Sequence, residues 1–417
     1  MISMKRLLCV LIFCLLGWSV SLRAQQVVSL DSAAHPSDSV VISLLTCSPG
    51  PLVYELYGHT ALRVREIGKY RQSDWVFNYG TFSFKQPNFV GRFVMGTPDY
   101  ELGVLPYAYF YEEYVRSGRG IQEQKLNLTS DEARKLVDAL SDNLLPENAT
   151  YRYNIFYDNC VTRAIRAIEQ AVDGQIVWGK TEPGLTLRSM VHEFSKVSPW
   201  NSFGQDLVLG AEADRPADLQ IQMFAPLYAS RYVAQAMVRD KSGKMRHLAA
   251  PPLTLLPETA QNTAESFQIT PMWGFGMLLA FVLLLTVLEY VRKKYYWQLD
   301  ALLFFLQGLA GCIVAFLFFF SAHPTVGSNY LVALFNPLPL LMFPWLMKAA
   351  SNGYRFKGMY LQLLMVQVTL ICGLCGLQHF PIEVYLIILI LDVRLLAHFL
   401  FTKKGLNPLS KPTNEFE

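Results

Sequence analysis

Five long apolar runs at the end of the chain constrain its fold more than any other feature of the sequence. They cover residues 271–291, 300–320, 329–347, 358–377 and 382–402. Each run is about long enough to cross the hydrocarbon core of a bilayer as a helix of roughly 20 residues. The sequence therefore predicts a transmembrane domain of five helices at 271–402, followed by a short tail at 403–417.

The basic residues between these runs predict the orientation in the membrane. Lys and Arg follow the first run, separate the third from the fourth, and follow the fifth, whereas the loops at 321–328 and 378–381 contain neither. Cytoplasmic loops of membrane proteins carry the excess of Lys and Arg. The C-terminus is therefore predicted to be cytoplasmic, and the residues before the first run are predicted to lie on the outer side.

The N-terminus agrees with this topology. Residues 1–24 combine a basic start, an apolar stretch and the sequence Leu22-Arg23-Ala24, which is typical of a cleaved signal peptide. An uncleaved anchor is the alternative. Residues 25–240 then form an outer domain, with an accessory lobe at 176–238, and residues 241–270, rich in Pro, Thr and Ala, are predicted to be a linker.

The outer domain is predicted to be α+β. Strands are expected at Val40–Thr46, after His59, at Trp75–Tyr79, at Gln122–Leu128 and at Tyr151–Tyr157. Thr129 with Glu132 has the spacing of a capping box, which predicts a helix through Leu144.

Two short segments of this domain carry candidate chemistry, Tyr57–Val64 with His59 and Tyr157–Ile165 with Cys160. The apolar residues after Cys160 recur at helical spacing, and Asp158 or Asn159 is a natural N-cap, so the thiol is expected in the first turn of a helix. The positive end of the helix dipole and a nearby imidazolium would lower the pKa of such a thiol. The segments therefore predict an activated cysteine nucleophile.

Each of these residues also has a structural interpretation. A lone His on a strand is often only a hydrogen-bonding group, and Cys160 could be an inert buried thiol. A disulfide between Cys160 and Cys47 is a further alternative, because an oxidising compartment would permit it. Cys47 lies in an apolar run, where a small buried thiol suffices.

Other classes of function receive no support from the sequence. The formal net charge of +3 gives no reason to expect a nucleic acid partner. Neither a metal-ligand cluster nor a glycine-rich phosphate loop is apparent, so no metal and no cofactor are expected. Asp392 and Arg394 lie within the fifth run, where charge is costly; their spacing prevents them from facing each other, and Arg394 is expected to extend toward the cytoplasm.

Several motifs together resemble a known family. They are Tyr57–Arg63, Phe77-Asn78-Tyr79-Gly80, Leu126-Asn127-Leu128-Thr129, Asp158-Asn159-Cys160 and the apolar stretch around Asn336-Pro337-Leu338. In this order they resemble the Lnb family of bacterial lipoprotein N-acyltransferases. The strand His followed by an Asn-Cys pair is similar to the permuted NlpC-type papain superfamily, which includes lecithin:retinol acyltransferase.

The resemblance implies a periplasmic, permuted papain-like domain anchored in the bacterial inner membrane. It also implies acyl transfer from a membrane phospholipid, through a thioester on Cys160, to the amino terminus of a diacylated lipoprotein. His59 would serve as the base, and Asn78 on the next strand is our candidate to orient its ring. Tyr79 and Asn159 are candidates for orienting or oxyanion contacts, with packing and capping as the alternatives.

Two other functions remain open from the sequence. One is a membrane-anchored cysteine hydrolase that cleaves peptidoglycan amides or lipid esters. The other is a non-catalytic membrane binding module. An intact His59 and Cys160 argue against the binding module, and a soluble wall hydrolase would not need five membrane helices.

Overall fold

A computed structural model of the protein describes residues 39–68, 72–83, 85–259 and 269–402. The predicted signal peptide at 1–24 and the predicted tail at 403–417 lie outside the described residues. The outer part of the chain contains a seven-stranded sheet, ordered β10-β5-β1-β2-β3-β4-β6, in which all neighbours are antiparallel. A small sheet, β7-β8-β9, lies in the accessory lobe. The strands are β1 (Ser39–Cys47), β2 (His59–Ile67), β3 (Gln72–Thr81), β4 (Asp99–Pro106), β5 (Ile121–Lys125), β6 (Thr150–Arg152), β7 (Gln175–Val177), β8 (Met237–Arg239), β9 (Met245–His247) and β10 (Leu253–Leu256).

Helices follow and separate these strands. Those of the outer part are α1 (Phe89–Val94), α2 (Tyr107–Ser117), α3 (Ser130–Asp142), α4 (Pro146–Ala149), α5 (Cys160–Ala171), α6 (Leu187–Ser195), α7 (Pro199–Val208), α8 (Leu219–Gln222) and α9 (Pro226–Gln235). Those of the membrane part are α10 (Pro271–Arg292), α11 (Trp297–Phe320), α12 (Leu331–Leu334), α13 (Leu338–Leu341), α14 (Phe343–Ser351), α15 (Gly358–Leu374) and α16 (Ile382–Phe401).

The large sheet is buried because its strands alternate apolar side chains between two covered faces. On one face, Leu45 and Val76 pack against Phe110 and Tyr114 of α2. Helix α5 packs against β2 and β3 elsewhere in the sheet. The apolar stripe of α5, from Val161 to Ala171, is buried in this contact, which holds the first turn of the helix at the sheet.

In the outer part the structure confirms most of the predicted strands and helices and corrects two segments. The segment Tyr151–Tyr157 is not one strand, because only Thr150–Arg152 pairs with β4. The side chain of Asn154 then accepts hydrogen bonds from the backbone N–H groups of Phe156 and Tyr157, which forms a turn in place of extended chain.

The second correction concerns the predicted linker at 241–270. Within it, Met245–His247 and Leu253–Leu256 are strands, and β10 pairs with β5 at the edge of the large sheet. Pro251 and Pro252 precede β10, a position that proline tolerates in an edge strand because no backbone N–H is needed there. The prolines that led to the prediction of a linker are therefore compatible with an edge strand.

The membrane part has three straight helices that are long and apolar enough to span a bilayer, α10, α11 and α16. The third predicted span is broken: Leu331–Leu341 and Phe343–Ser351 meet at an angle of 70°. Pro337, Pro339 and Pro344 lie in this broken segment, and proline interrupts a helix because it has no backbone N–H to donate. The fourth predicted span is the shorter apolar helix α15. The described residues thus contain three or four spans by length and composition, where five were predicted.

A buried ion cluster joins three of these helices, and it corrects the expectation that Arg394 extends toward the cytoplasm. The Arg394 side chain is fully buried; its Nη1 lies 2.7 Å from a carboxylate oxygen of Glu289, and its Nε pairs with Asp300. Asp392 instead accepts a hydrogen bond from Gln367 at 2.8 Å. As predicted, Asp392 and Arg394 do not face each other. A charge inside an apolar bundle is held by partners, which explains why Arg394 stays buried.

Polar contacts also fix the outer part onto the membrane part. Asn329 donates to the carbonyl of Leu207 at 2.8 Å, and the buried Gln378 donates to the carbonyl of Leu209 at 2.9 Å. The backbone N–H of His379 donates to Asp214 at 2.9 Å. The accessory lobe therefore contacts the loop at 321–328, the adjoining Asn329 and the loop at 378–381, and both loops were predicted to lie on the outer side.

Candidate active site

Neighbouring strand ends bring His59 and Asn78 together. The ladder between β2 and β3 runs from Leu62–Phe77 to Ile67–Gln72, so the strand ends that carry His59 and Asn78 extend beyond it. There the Nε2 atom of His59 lies 3.1 Å from the Oδ1 atom of Asn78. Asn78 is 9% exposed and His59 is half-buried. The predicted pair of imidazole and orienting amide is thus present.

Cys160 is the first residue of α5, as predicted, and Asn159 is the N-cap. The Oδ1 atom of Asn159 accepts hydrogen bonds from the backbone N–H groups of Val161 at 2.9 Å and Thr162 at 3.0 Å. Its Nδ2 donates to the carbonyls of Ile155 and Phe224. These bonds use both polar atoms of the Asn159 side chain. Asn159 therefore holds the helix start and the preceding loop in place and has no free donor for an oxyanion.

The thiol lies against the same strand ends. A Cβ atom built on Gly80 would be 3.7 Å from the Cβ atom of Cys160, and Gly80 has a φ of +92°, a conformation that suits glycine. Near the sulfur are the backbone N–H groups of Thr60, Val161 and Cys160 itself. Cys160 as a whole residue is half-buried.

Burial sets the protonation states of the pair and corrects the expected activation. It raises the pKa of Cys160 above the usual range for a thiol, although the neighbouring N–H groups act in the opposite direction. Burial also lowers the pKa of His59 to about 4, partly offset by the bond to Asn78. At neutral pH the resting pair is therefore a thiol and a neutral imidazole, because desolvation disfavours both charged forms.

The tautomer of His59 follows from its contact with Asn78. An amide Oδ1 only accepts hydrogen bonds, so the imidazole carries its proton on Nε2 and leaves Nδ1 as an acceptor. Among the contacts of the described residues, no hydrogen bond joins the Cys160 thiol to the His59 ring. Catalytic hydrogen bonds are often long in the absence of substrate and tighten when it binds.

Cys47 is a free, fully buried thiol, as is expected for a packing residue. It pairs with His59 across β1 and β2, and burial raises its pKa to about 12. Cys160 is also free. The structure therefore does not form the alternative disulfide, and it leaves the half-buried Cys160 as the more accessible thiol of the two.

Tyr79 and Tyr151 differ in how their hydroxyl groups are used. The hydroxyl of Tyr79 accepts a hydrogen bond from Asn143 at 3.2 Å, which is a packing contact. The hydroxyl of Tyr151 is buried 4.0 Å from a Cβ atom built on Gly80, whose backbone N–H lies near it, and it donates no hydrogen bond to any described residue. Sequence reasoning missed Tyr151 because it assigned this segment to a plain strand.

No arrangement for a metal ion is found in residues 39–68, 72–83, 85–259 and 269–402, where no group of three or more His, Cys, Asp or Glu side chains could hold one. The polar groups near Cys160 are instead backbone N–H groups, including that of Thr60 directly after His59, and the phenol of Tyr151. Such a set can activate a thiol and bind a developing oxyanion.

The fold and the site together define a membrane protein whose outer α+β domain carries a cysteine at a helix start beside a His–Asn pair. Comparison with protein families gives two matches: the Lnb N-terminal periplasmic domain matches residues 29–193, and the Lnb transmembrane domain matches residues 262–405. The chain belongs to the Lnb family. It is thus a membrane protein with a periplasmic domain, in a family of membrane enzymes of lipoprotein processing. Neither curated proteins nor solved structures gave a match.

Proposed function

We propose that this protein is a lipoprotein N-acyltransferase with Cys160 as its nucleophile. The observation that carries the proposal is a half-buried thiol at a helix start, packed at the strand ends that carry a His–Asn pair, in a domain fixed onto apolar membrane helices. The acyl donor is a membrane phospholipid, and the acceptor is the amino-terminal amine of a diacylglyceryl-cysteine lipoprotein.

In the first step the Cys160 sulfur attacks the carbonyl carbon of a phospholipid ester. His59 takes the thiol proton on Nδ1 as the carbon–sulfur bond forms. The ester oxygen then leaves with that proton as the hydroxyl of a lysophospholipid, and the acyl chain remains as a thioester on Cys160. The neutral resting state of His59 suits this role, since a protonated imidazole could not accept the proton.

In the second step the lipoprotein amine attacks the thioester. Its reference pKa is about 7.7–8.0, so part of the acceptor must lose a proton before or during the attack. His59 accepts one proton from the amine and returns it to the departing sulfur, which restores the thiol as the amide forms. The same imidazole therefore serves both steps.

The membrane domain supports transfer over hydrolysis. A thioester must be protected from water if an amine is to be the acceptor, and a site that faces lipid does this better than an open cleft. The contacts of the outer part with the loop at 321–328, with Asn329 and with the loop at 378–381 support a periplasmic site above the membrane. Basic loops around 292–294 and 348–357 then lie on the cytoplasmic side, and the C-terminus is cytoplasmic.

Two structural parts of the proposal go with this function. The domain is a permuted papain-like fold, in which the His strand precedes the Cys helix. This chain order is compatible with papain-like chemistry, because catalytic triads are defined by geometry and not by chain order. The membrane part crosses the bilayer five times, with the bent segment and α15 each counted as a span.

The runner-up is a cysteine hydrolase acting on lipid esters or peptidoglycan, and acceptor dependence separates the two. Phospholipid alone should give about one equivalent of lysophospholipid per enzyme and then stop, as a trapped acyl-enzyme predicts. A diacylated lipopeptide should restart turnover and become triacylated, whereas the same peptide with a blocked amino terminus should not. Steady release of free fatty acid without an acceptor would instead identify a lipase, and absence of acylation would favour a binding module.

A further inference from the structure

An apolar surface lies beside the proposed site. The segment before His59 exposes Leu52, Val53 and Tyr54, which are 48%, 57% and 59% exposed. Helix α1 and the residue after it expose Val90, Phe93, Val94 and Met95. We call these seven residues the apolar rim. Exposed apolar surface of this kind marks a site that contacts a membrane or a partner.

The apolar rim is continuous with the membrane domain. The backbone N–H of Ala322 donates to the carbonyl of Met95 at 2.8 Å, and the hydroxyl of Ser321 donates to the carbonyl of Val94 at 2.8 Å. Residues 321–323 directly follow the spanning helix α11. Helix α1 is therefore attached at the level where this span leaves the bilayer.

A series of aromatic rings connects the rim to Cys160. Phe82 contacts the ring of Tyr54 at 5.8 Å and stacks on Phe89 of α1 at 5.4 Å. Phe82 also stacks on Tyr100 at 4.9 Å, and Tyr100 stacks on Tyr153 at 4.0 Å. Tyr153 and Cys160 both lie against Gly80. The rings thus form a continuous apolar wall from the rim to the thiol.

We propose that the apolar rim inserts into the outer leaflet and that a phospholipid acyl chain reaches Cys160 along this aromatic wall. This inference rests on the proposed function. A bilayer is favoured over a protein partner because the rim is joined to a membrane span. The wall also supplies apolar contact for a chain that leaves the leaflet, which would be costly through water.

Charged substitutions in the rim test this route. Val90→Glu and Val53→Glu should slow acylation of Cys160 by phosphatidylethanolamine in proteoliposomes by about tenfold or more, since a carboxylate opposes contact with the leaflet. Acylation by p-nitrophenyl butyrate, which is short and water-soluble, should stay within about twofold of the wild type. Met245→Glu is the matched control, because Met245 is 40% exposed in the small sheet and outside the rim.

The outcomes separate the route from the function. If phosphatidylethanolamine does not acylate the wild type, the proposed function fails. If it acylates the wild type and both rim variants equally fast, the route is wrong. If a rim variant is acylated by neither substrate, a direct measurement of membrane insertion decides. Brominated phospholipid should quench the added tryptophan fluorescence of Val90→Trp but not that of Met245→Trp. An unquenched Val90→Trp would overturn the proposal.

The hydroxyl of Tyr151 carries an independent second inference. Tyr151 is 7% exposed, and among the described residues its hydroxyl donates no hydrogen bond, although the backbone N–H of Gly80 lies near its oxygen. A buried donor without an acceptor is rare in a native protein. Burial and the nearby Cys160 both raise the pKa of Tyr151, so the phenol keeps its proton and can donate it. The guanidinium of Arg163 lies 3.6 Å from the ring centroid and fixes the ring.

We infer that Tyr151 donates a hydrogen bond to the oxyanion that forms when Cys160 attacks the acyl carbonyl. Tyr151→Phe removes only the hydroxyl and should slow acylation about tenfold to a hundredfold, as expected for one oxyanion donor. Alkylation of Cys160 by iodoacetamide forms no oxyanion and should be unchanged. Tyr228→Phe, which removes a buried hydroxyl bonded to Glu193, is the matched control. Equal acylation by wild type and Tyr151→Phe would refute the inference, as would a parallel loss of alkylation.

Discussion

Asn78 offers the sharpest test of how the imidazole is held. Its Oδ1 lies 3.1 Å from the Nε2 atom of His59, in a part of the site that is largely buried. A neutral hydrogen bond contributes about 1 kcal/mol. Asn78→Leu should therefore slow acylation of Cys160 about fivefold, because a difference of 1.4 kcal/mol corresponds to a factor of about 10. The imidazole would then no longer be restricted to the tautomer that leaves Nδ1 free.

The pH profile of acylation adds a second readout. The bond to Asn78 raises the pKa of His59, whereas burial lowers it to about 4. Since the base must be neutral, activity should fall only as the pH approaches 4. Asn78→Leu should move this acid limb to lower pH, and Asn78→Asp should move it to higher pH because a carboxylate stabilises the imidazolium.

The assay is the rate of acyl-Cys160 formation from phospholipid, followed by mass spectrometry between pH 3.5 and 8, with Asn78→Asp as the variant that keeps an acceptor. An Asn78→Leu variant that matched the wild type in rate and pH profile would show that Asn78 does not hold the imidazole. An acid limb near the ordinary histidine pKa in the wild type would equally contradict the neutral, buried imidazole.

Three further predictions follow from the same structure. Cys47→Ala should retain most acylation activity, because Cys47 is buried and protonated; loss of acyl-enzyme formation would assign it a chemical role. Iodoacetamide should modify Cys160 slowly at pH 7 and faster as the pH rises, since burial raises its pKa; rapid alkylation at pH 6 would indicate a preformed thiolate. Arg394→Leu should destabilise the membrane domain by about 3–5 kcal/mol, because it leaves Glu289 buried without its partner, whereas Asp392→Asn keeps an acceptor for Gln367 and should leave thermal stability in detergent unchanged.

The local patterns of the sequence were sufficient for much of the fold. The alternation after His59 and the helical spacing after Cys160 predicted β2 and α5, and Asn159 is the N-cap as its residue type suggested. These features depend on neighbours in sequence, where propensity and periodicity act directly. The third apolar run contains three prolines, and its break is a local effect of the same kind.

Features that depend on distant residues could not be predicted in the same way. The partners of Arg394, Glu289 and Asp300, lie about a hundred residues earlier in the chain. The sequence alone could not pair them with Arg394, so its side chain was expected to extend toward the cytoplasm. Desolvation of Cys160 and His59 likewise depends on the packing around the strand ends. Burial raises the pKa of Cys160 and lowers that of His59, which opposes the expected thiolate. Tyr151 became a candidate only when its hydroxyl, which donates no hydrogen bond to a described residue, was found near the thiol.

The central claim, that Cys160 carries the acyl group, is tested most directly by intact-protein and peptide mass spectrometry. After incubation with phospholipid, the wild type should gain the mass of one acyl chain on the peptide that contains Cys160, and hydroxylamine should release it, as expected of a thioester. Cys160→Ser should insert into the membrane normally and gain no such adduct, because a serine hydroxyl ionises far less readily than a thiol. An acyl adduct on another residue, or full transfer to a lipopeptide by Cys160→Ser, would contradict the account.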